Sequence, residues 1–286
     1  MRSEKEMISL IKSIAEIDSR IRAVILNGSR TNKNIIKDDF QDYDIIYLVK
    51  ELKTFKSDPN WIDKFGNRII FQKPNTMNLN GSDSELIIDE IAYLMLFEDY
   101  NRIDLTLIET VNKNKCKNSL NKIILDKDNM FDQFYEPTDS DYWIKKPSQK
   151  EYEDCCNEFW WVSTYVVKGL AREELIYAKD MLENPIRKMF LKMIGWNIGV
   201  VYDFKINLGK SHKFLNRYVD SELWIEILKT YPSLNKENIW NSLLKMTELF
   251  NKSSIELSNK LDLIYNLEEA NNLKEYLRNM EKRIIK

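Results

Sequence analysis

Proline and glycine are scarce in this chain of 286 residues, at six and seven, so no linker-like or low-complexity stretch stands out and no internal repeat is found. Histidine occurs once, at His212, and no Ser-His-Asp arrangement for covalent catalysis is recognisable. The three cysteines, Cys116 and the adjacent Cys155 and Cys156, are an odd number without metal-ligand spacing, and buried free thiols are expected. An excess of one charge is lacking too. Lys and Arg (43) nearly balance Asp and Glu (45), leaving a formal charge of -2, so no strong field attracts nucleic acid and no nucleic-acid partner is expected. No apolar run approaches membrane-spanning length, and Met1 to Glu6 lead into an amphipathic pattern rather than a signal peptide. A cytoplasmic protein without a membrane partner is the expectation, and a monomer is expected.

What is present is a chain 43% hydrophobic and 31% charged, enough for a real core and for two domains. Residues 3 to 19 read as a helix, with Ser3 and Glu6 able to form a capping box and Met7, Ile11, Ile14 and Ala15 on one face. Strand-like runs follow: RAVILN (22–27), DIIYLV (44–49), RIIFQ (68–72), IAYLMLF (91–97) and RIDLTLI (102–108). The turn formers EDYN (98–101) join the last two as an antiparallel hairpin. From Ser148 the period becomes helical, with Ser148 and Glu151 as a second capping box and Asn184-Pro185 and Asp220-Ser221 marking later helix starts. The fold class predicted is α+β: a mixed sheet with helices over residues 1–140, then an α-helical bundle over 141–286, joined within the turn-rich segment 132–148. Trp196, Trp224 and Trp240, among aliphatic neighbours, are expected in helix cores.

The chemistry concentrates in acids. Alternate strand residues share a face, so Asp42 and Asp44 project together while Tyr43 and Ile45 point the other way. Two nearby carboxylates repel unless something positive lies between them, and Mg2+ takes oxygen ligands while keeping positions for water and phosphate oxygens. Asp104 is opposite in parity to Ile103, Leu105 and Leu107, which turns it away from the packed face and toward the same cleft. An Asp-x-Asp opening a strand is most often an exposed turn or edge. Asp104 is harder to explain that way, because a carboxylate in a strongly strand-like run needs exposure, a partner or a metal. Gly28-Ser29 follows the apolar AVIL run, where glycine lets backbone amides approach a phosphate and serine adds a donor, although such a pair is also an ordinary turn.

In combination, the strand, the Gly-Ser, the Asp-x-Asp and the third Asp resemble the active-site signature of the nucleotidyltransferase superfamily that includes polymerase beta-like enzymes. Longer stretches, GSRTN, FQDYDIIYLV, LFEDYNRIDLTLI, YWIKKPS and DCCNEFWWVSTYVVKGLARE, look like the aminoglycoside 6-adenylyltransferases, bacterial enzymes that add AMP to a hydroxyl of streptomycin. The resemblance runs from about residue 1 to 220, and beyond it only the helical pattern is read. It implies a polymerase beta-like first domain, a metal-binding pair at Asp42 and Asp44, and Asp104 as third acid, metal ligand, general base or both. Gly28, Ser29 and Arg30 would hold the triphosphate of ATP, the co-substrate. Two Mg2+ ions, about 3.5–4 Å apart, would neutralise it and stabilise in-line attack with pyrophosphate leaving.

On the helix after Ser148, residues Asp154, Glu158, Trp161, Tyr165, Lys168 and Arg172 fall on one face at steps of three or four. A solvated face would explain the charges alone, but the two aromatics favour a cleft-facing stripe. On that reading Lys168 and Arg172 meet ATP phosphates, while Asp154 and Glu158 attract the guanidinium groups of the drug. The cluster LGKSHKF, with Lys210 and Lys213, resembles a loop that contacts phosphate in relatives; a surface loop is the plainer reading, with His212 solvated. Glu98 and Asp99 can face a cationic substrate, and a hairpin turn explains them equally well. Three competing functions remain at this level. A nucleotidyltransferase for another acceptor shares the signature, a nucleotide-binding regulator is disfavoured because all three acids are present, and a polymerase is disfavoured by the near-neutral charge.

Overall fold

The structure, a computed structural model, describes residues 1–77, 89–131 and 136–284. Of the expected junction 132–148, residues 132–135 lie outside the described residues. The chain divides into two compact units, Met1–Asp141 and Tyr142–Lys286.

In the first unit, helix α1 (Glu4–Ile17) begins at the expected capping box: the Glu6 amide donates to Ser3 Oγ, and the Ser3 amide donates to the Glu6 carboxylate at 2.7 Å. Its apolar stripe of Met7, Ile11, Ile14 and Ala15 is buried. Six strands form one sheet: β1 (Ile21–Asn27), β2 (Tyr43–Val49), β3 (Arg68–Gln72), β4 (Glu90–Phe97), β5 (Arg102–Glu109) and β6 (Lys122–Asp126), in the spatial order β3-β4-β5-β2-β1-β6. Every neighbouring pair is antiparallel except β2 and β5, which run parallel, so the sheet is mixed. The expected hairpin of β4 and β5 is present, turned by Glu98 to Asn101 with Tyr100 at φ 65°.

Strand β6 was not anticipated. Its five residues hold one short apolar run, Ile123 to Leu125, and its partner β1 lies far back in the chain, so no local pattern announces the pairing.

The sheet's two faces differ because side chains alternate. Tyr43, Ile45 and Tyr47 of β2, Tyr93 and Met95 of β4, and Ile103 and Leu105 of β5 are all buried in one core with α1 and the short helix α2 (Lys53–Lys56). There Tyr47 donates its hydroxyl to the Ile11 carbonyl at 2.6 Å, and the Trp61 ring meets Phe55 and Tyr93 edge-on at 4.9 and 5.8 Å. The opposite face buries a smaller cluster around Ala23, Ile25, Leu48 and Ile108. By the same alternation, that second face receives Asp44 and Asp104.

The second unit is helical: α3 (Gln149–Ala171), α4 (Leu175–Met181), α5 (Arg187–Val201), α6 (Ser221–Leu228), α7 (Lys236–Leu261) and α8 (Leu267–Ile284). Ser148 and Glu151 form the second capping box, and Asp220 caps α6 by accepting from the Leu223 amide at 2.7 Å. Asn184-Pro185, however, does not begin a helix. A π-helical turn at Leu182–Ile186 carries the chain from α4 into α5 with Pro185 inside it, since the wider turn accommodates a residue that lacks an amide donor. Phe159 of α3 stacks on Phe250 of α7 at 3.7 Å between centroids and 3° between planes, with Trp160 edge-on to Phe250 at 5.6 Å. Trp196 and Trp240 are buried, and Trp224 packs half-buried against the same core. All three cysteines are buried and free. Among the described residues no helix is long and apolar enough to cross a membrane.

The α5 start contains a buried cation. Arg187 pairs with Glu183 one turn earlier, donates to Thr230 Oγ1 at 2.8 Å, and lies 3.5 Å from the Tyr231 ring centroid. Arg187→Ala should therefore destabilise the helical unit by about 2–4 kcal/mol, since it strands Glu183 and Thr230 and removes the packed guanidinium. Urea denaturation followed by tryptophan fluorescence measures this, and a change below about 0.5 kcal/mol, the level of an ordinary surface substitution, would contradict it.

Candidate active site

Strands β1, β2 and β5 build the site at one end of the sheet. Parallel pairing of β2 with β5 sets Asp44 directly against Asp104, and antiparallel pairing of β1 with β2 sets Asn27 against Asp44. Asp42, one residue ahead of β2, falls in with Asp44 by alternation. The structure thus brings the three acids together on the face away from α1.

Gly28 shows how tightly the end of β1 approaches them. It adopts φ +73°, a conformation side chains rarely take, and a Cβ there would overlap Asp44 Oδ2 outright. Asn27 Oδ1 accepts from the Gly28 amide at 2.5 Å, and Gly28, Ser29 and Arg30 form a single 3-10 turn. Glycine is therefore needed here for room beside a carboxylate, in addition to any approach of a phosphate.

The charges are partly balanced from within. Arg102, two residues before Asp104 and on the same face of β5, grips it with a two-pronged contact: Nε to Oδ1 and Nη2 to Oδ2, each at 2.8 Å. Its Nε also lies 3.7 Å from Asp42 Oδ2. Among the described residues Asp44 has no such pairing, and burial together with the neighbouring Asp104 and Asp42 charges pushes its carboxyl up to about 6. Arg30 is fixed differently. Its guanidinium donates to the carbonyls of Gln41 at 2.6 Å and Asp42 at 3.1 Å and stacks over Tyr43 at 3.7 Å, with a side chain only 7% exposed. In this structure it shapes the turn that delivers Asp42.

Oxygen-only donors and unneutralised negative charge suit a hard divalent cation. Among the described residues, though, no group of three or more acids, histidines or cysteines stands ready-made to hold a metal. Arg102 occupies Asp104 instead.

Asp99 is a turn lock: the Arg2 Nε donates to it at 2.7 Å, as does the Arg2 amide at 2.9 Å, and these bonds hold its carboxyl well below the usual range. Glu98 is exposed beside it and accepts from Asn67 Nδ2 at 3.3 Å. On α3, Asp154, Glu158, Trp161 and Lys168 are exposed, Trp161 at 60%, and Asp154 pairs with Lys150. Trp161 Nε1 donates to the Tyr165 hydroxyl at 2.8 Å, and Lys168 Nζ lies 5.2 Å from the Tyr165 ring. Arg172 is the C-cap of that helix rather than part of its face. Lys210 and Lys213 are exposed on a loop turned by Gly209 at φ +73°. His212 between them corrects the solvated reading: it is half-buried near Gly195, and burial lowers its pKa.

Sequence reasoning missed Arg102, Asn27 and Gln41. The parity that singled out Asp104 also places Arg102 beside it, so that signal was available. Gln41 is 8% exposed, and among the described residues neither polar atom of its side chain has a hydrogen-bond partner, which nothing in the local sequence betrays.

Asp44→Asn should raise the stability of the protein measured without divalent cations. The carboxyl is raised in the folded state, so its ionisation costs stability progressively as pH rises from about 4 to about 6, and nothing below the unfolded value. The gain should be on the order of 2 kcal/mol at pH 7.5, or roughly 4–8 °C, and should vanish near pH 4. Thermal unfolding in chelator at the two pH values decides, and a variant no more stable than the parent at pH 7.5 would refute the charge balance described.

Comparisons with known proteins follow the same lines. A family model described as Streptomycin adenylyltransferase matches residues 1–280. The chain is 44% identical over 269 residues to an aminoglycoside 6-adenylyltransferase of Campylobacter jejuni, covering 93% of this chain and 92% of that protein. It is 42% identical to one of Bacillus subtilis (strain 168), covering 93% of each, and 38% identical to one of Staphylococcus aureus, covering 98% and 99%. A crystal structure of an aminoglycoside 6-adenyltransferase from Bacillus subtilis aligns over 98% of this chain and 99% of that one, at 37% identity and a TM-score of 0.48. The family match continues 60 residues past the point, about residue 220, where the sequence resemblance faded, so α6, α7 and most of α8 belong to the shared protein.

Proposed function

Because the chain belongs to the streptomycin adenylyltransferase family, an enzyme family that uses ATP as co-substrate, we propose that it transfers AMP to a hydroxyl of streptomycin and releases pyrophosphate. The observation that carries the chemical reading is the convergence of Asp42, Asp44 and Asp104 beside the Gly28 turn. Mg2+ is the proposed cofactor: held by Asp42 and Asp44 with Asp104 as third acid, it would screen the triphosphate and stabilise charge in the in-line displacement.

The chain's own groups have separable tasks in this reading. Asp104, once free of Arg102, accepts the proton of the attacking hydroxyl, a role that its place on the strand beside Asp44 supports. Gly28 and Ser29 present the 3-10 turn to the phosphates, where the absence of a Cβ at position 28 keeps the approach open. Arg30 keeps Asp42 in place through the Gln41 and Asp42 carbonyls, so its contribution to triphosphate binding is through the turn. On the helical unit, exposed Asp154 and Glu158 offer charge-assisted hydrogen bonds to the guanidinium groups of streptomycin, and Lys168, Arg172, Lys210 and Lys213 offer cations to phosphate. Asp99 contributes to the turn before β5, by its bonds to Arg2, rather than to the drug.

The test is magnesium-dependent pyrophosphate release from ATP with streptomycin present or absent, with the product weighed by mass spectrometry. One added AMP on streptomycin is the expected result; release with kanamycin alone, or with neither drug, would point to another acceptor. Asp42→Asn, Asp44→Asn and Asp104→Asn should each lower turnover by at least about 100-fold while circular dichroism stays unchanged. A folded variant that keeps more than a tenth of the parent rate would remove that acid from the mechanism.

A further inference from the structure

Two arginines stand beside the acid cluster, and they are held in opposite ways. Arg30 is buried, bonded to two backbone carbonyls and stacked on Tyr43. Moving it would cost that whole set of contacts. The side chain of Arg102 is 43% exposed, and its recorded partners among the described residues are carboxylates: Asp104 on both oxygens and Asp42 at 3.7 Å. Among the described residues no backbone group tethers its guanidinium, so it can leave by side-chain rotation once another anion replaces those partners.

Its position sets up a competition. A divalent cation gathered by these acids needs carboxylate oxygens, and the Arg102 fork already occupies both oxygens of Asp104. The cation and the guanidinium are thus alternative occupants of the same negative charge. Displacing Arg102 into water sacrifices a bidentate, charge-assisted pair. Displacing it onto a phosphate does not, because guanidinium pairs with phosphate as well as with carboxylate. A nucleoside triphosphate brings both the counter-ions a cation requires and the anion a released arginine requires.

We propose that Arg102 is a movable counter-ion that neutralises part of the acid cluster's charge, competes with divalent cations there, and yields its place only when a nucleoside triphosphate arrives to receive it. The inference rests on the reading of Asp42, Asp44 and Asp104 as the cation-binding acids. Its consequence is thermodynamic coupling: cation and nucleotide each bind tightly only in the other's company, and by linkage each strengthens the other equally. Arg102 acts as a positioning residue in this scheme. It decides when the acids become available, and the chemistry is left to them.

Mn2+, visible by electron paramagnetic resonance, serves as the probe. Binding to the full chain is titrated with and without the non-transferable analogue α,β-methylene-ATP, against blanks of analogue alone, for the parent, Arg102→Met, Arg102→Lys and Asp44→Asn. Arg102→Met should bind Mn2+ about tenfold more tightly than the parent without nucleotide, and the enhancement by the analogue should shrink by at least as much. Arg102→Lys, which keeps the charge but loses the fork, should fall between. A merely structural role for Arg102 would weaken binding or leave the enhancement unchanged. A folded Arg102→Met with nucleotide-free affinity no higher than the parent overturns the proposal; should that variant fail to fold, a lysine variant matching the parent overturns it equally. If Asp44→Asn binds Mn2+ with the analogue as well as the parent does, or if the parent binds none, the cation-site reading itself has failed, and the inference with it.

Discussion

Repulsion among three carboxylates, brought together on adjacent strands of one sheet, is the constraint around which the N-terminal unit is organised. Their proximity follows from backbone pairing: the parallel register of β2 and β5 sets Asp44 against Asp104, and strand alternation adds Asp42. The sheet can keep them there because its other face is firmly anchored, with Tyr43, Tyr47 and Ile103 buried against α1 and the aromatic cluster around Trp61. Residues that alternate with those anchors have no choice of side. The electrostatic cost shows in the raised carboxyl of Asp44 and is limited by the positive charges of Arg102 and Arg30.

Much of this was legible because the alternation of a strand is a local property. Asp42, Asp44 and Asp104 announce their common face through parity alone, as do the capping boxes at Ser3 and Ser148 through spacing of three. What local pattern cannot supply is which strands become neighbours. Asp44 and Asp104 meet through a parallel pairing across some sixty residues of intervening chain, and β6 joins β1 from farther still. Pro185 misled because a proline marks a helix start in an α-helix of ordinary pitch, whereas a single wide π turn lets two helices run on through it. His212 misled because its neighbours Lys210 and Lys213 are polar, yet a left-handed backbone at Ser211 and His212 folds the imidazole inward.

The helical unit is built on another principle, continuous aromatic packing with polar groups buried only where they are answered. The stacked Phe159 and Phe250 rings join α3 to α7, while Arg187 is accepted into the interior because Glu183, Thr230 and Tyr231 meet its charge, its protons and its flat face. The family match to residue 280 fits this economy, since α7 supplies half of the central stack and could not be dispensed with.

The contact between Gly28 and the Asp44 carboxylate carries a consequence for how such a chain can change over generations. A side chain at position 28 would meet the acid and take up a strained backbone, so it is most easily admitted in a lineage that has first shortened residue 44. A descendant with alanine or serine at 28 should therefore also carry a smaller residue at 44, so that the two positions change together. The pair sets an order of change: once the glycine has gone, restoring the acid alone no longer fits, and the way back begins with the glycine.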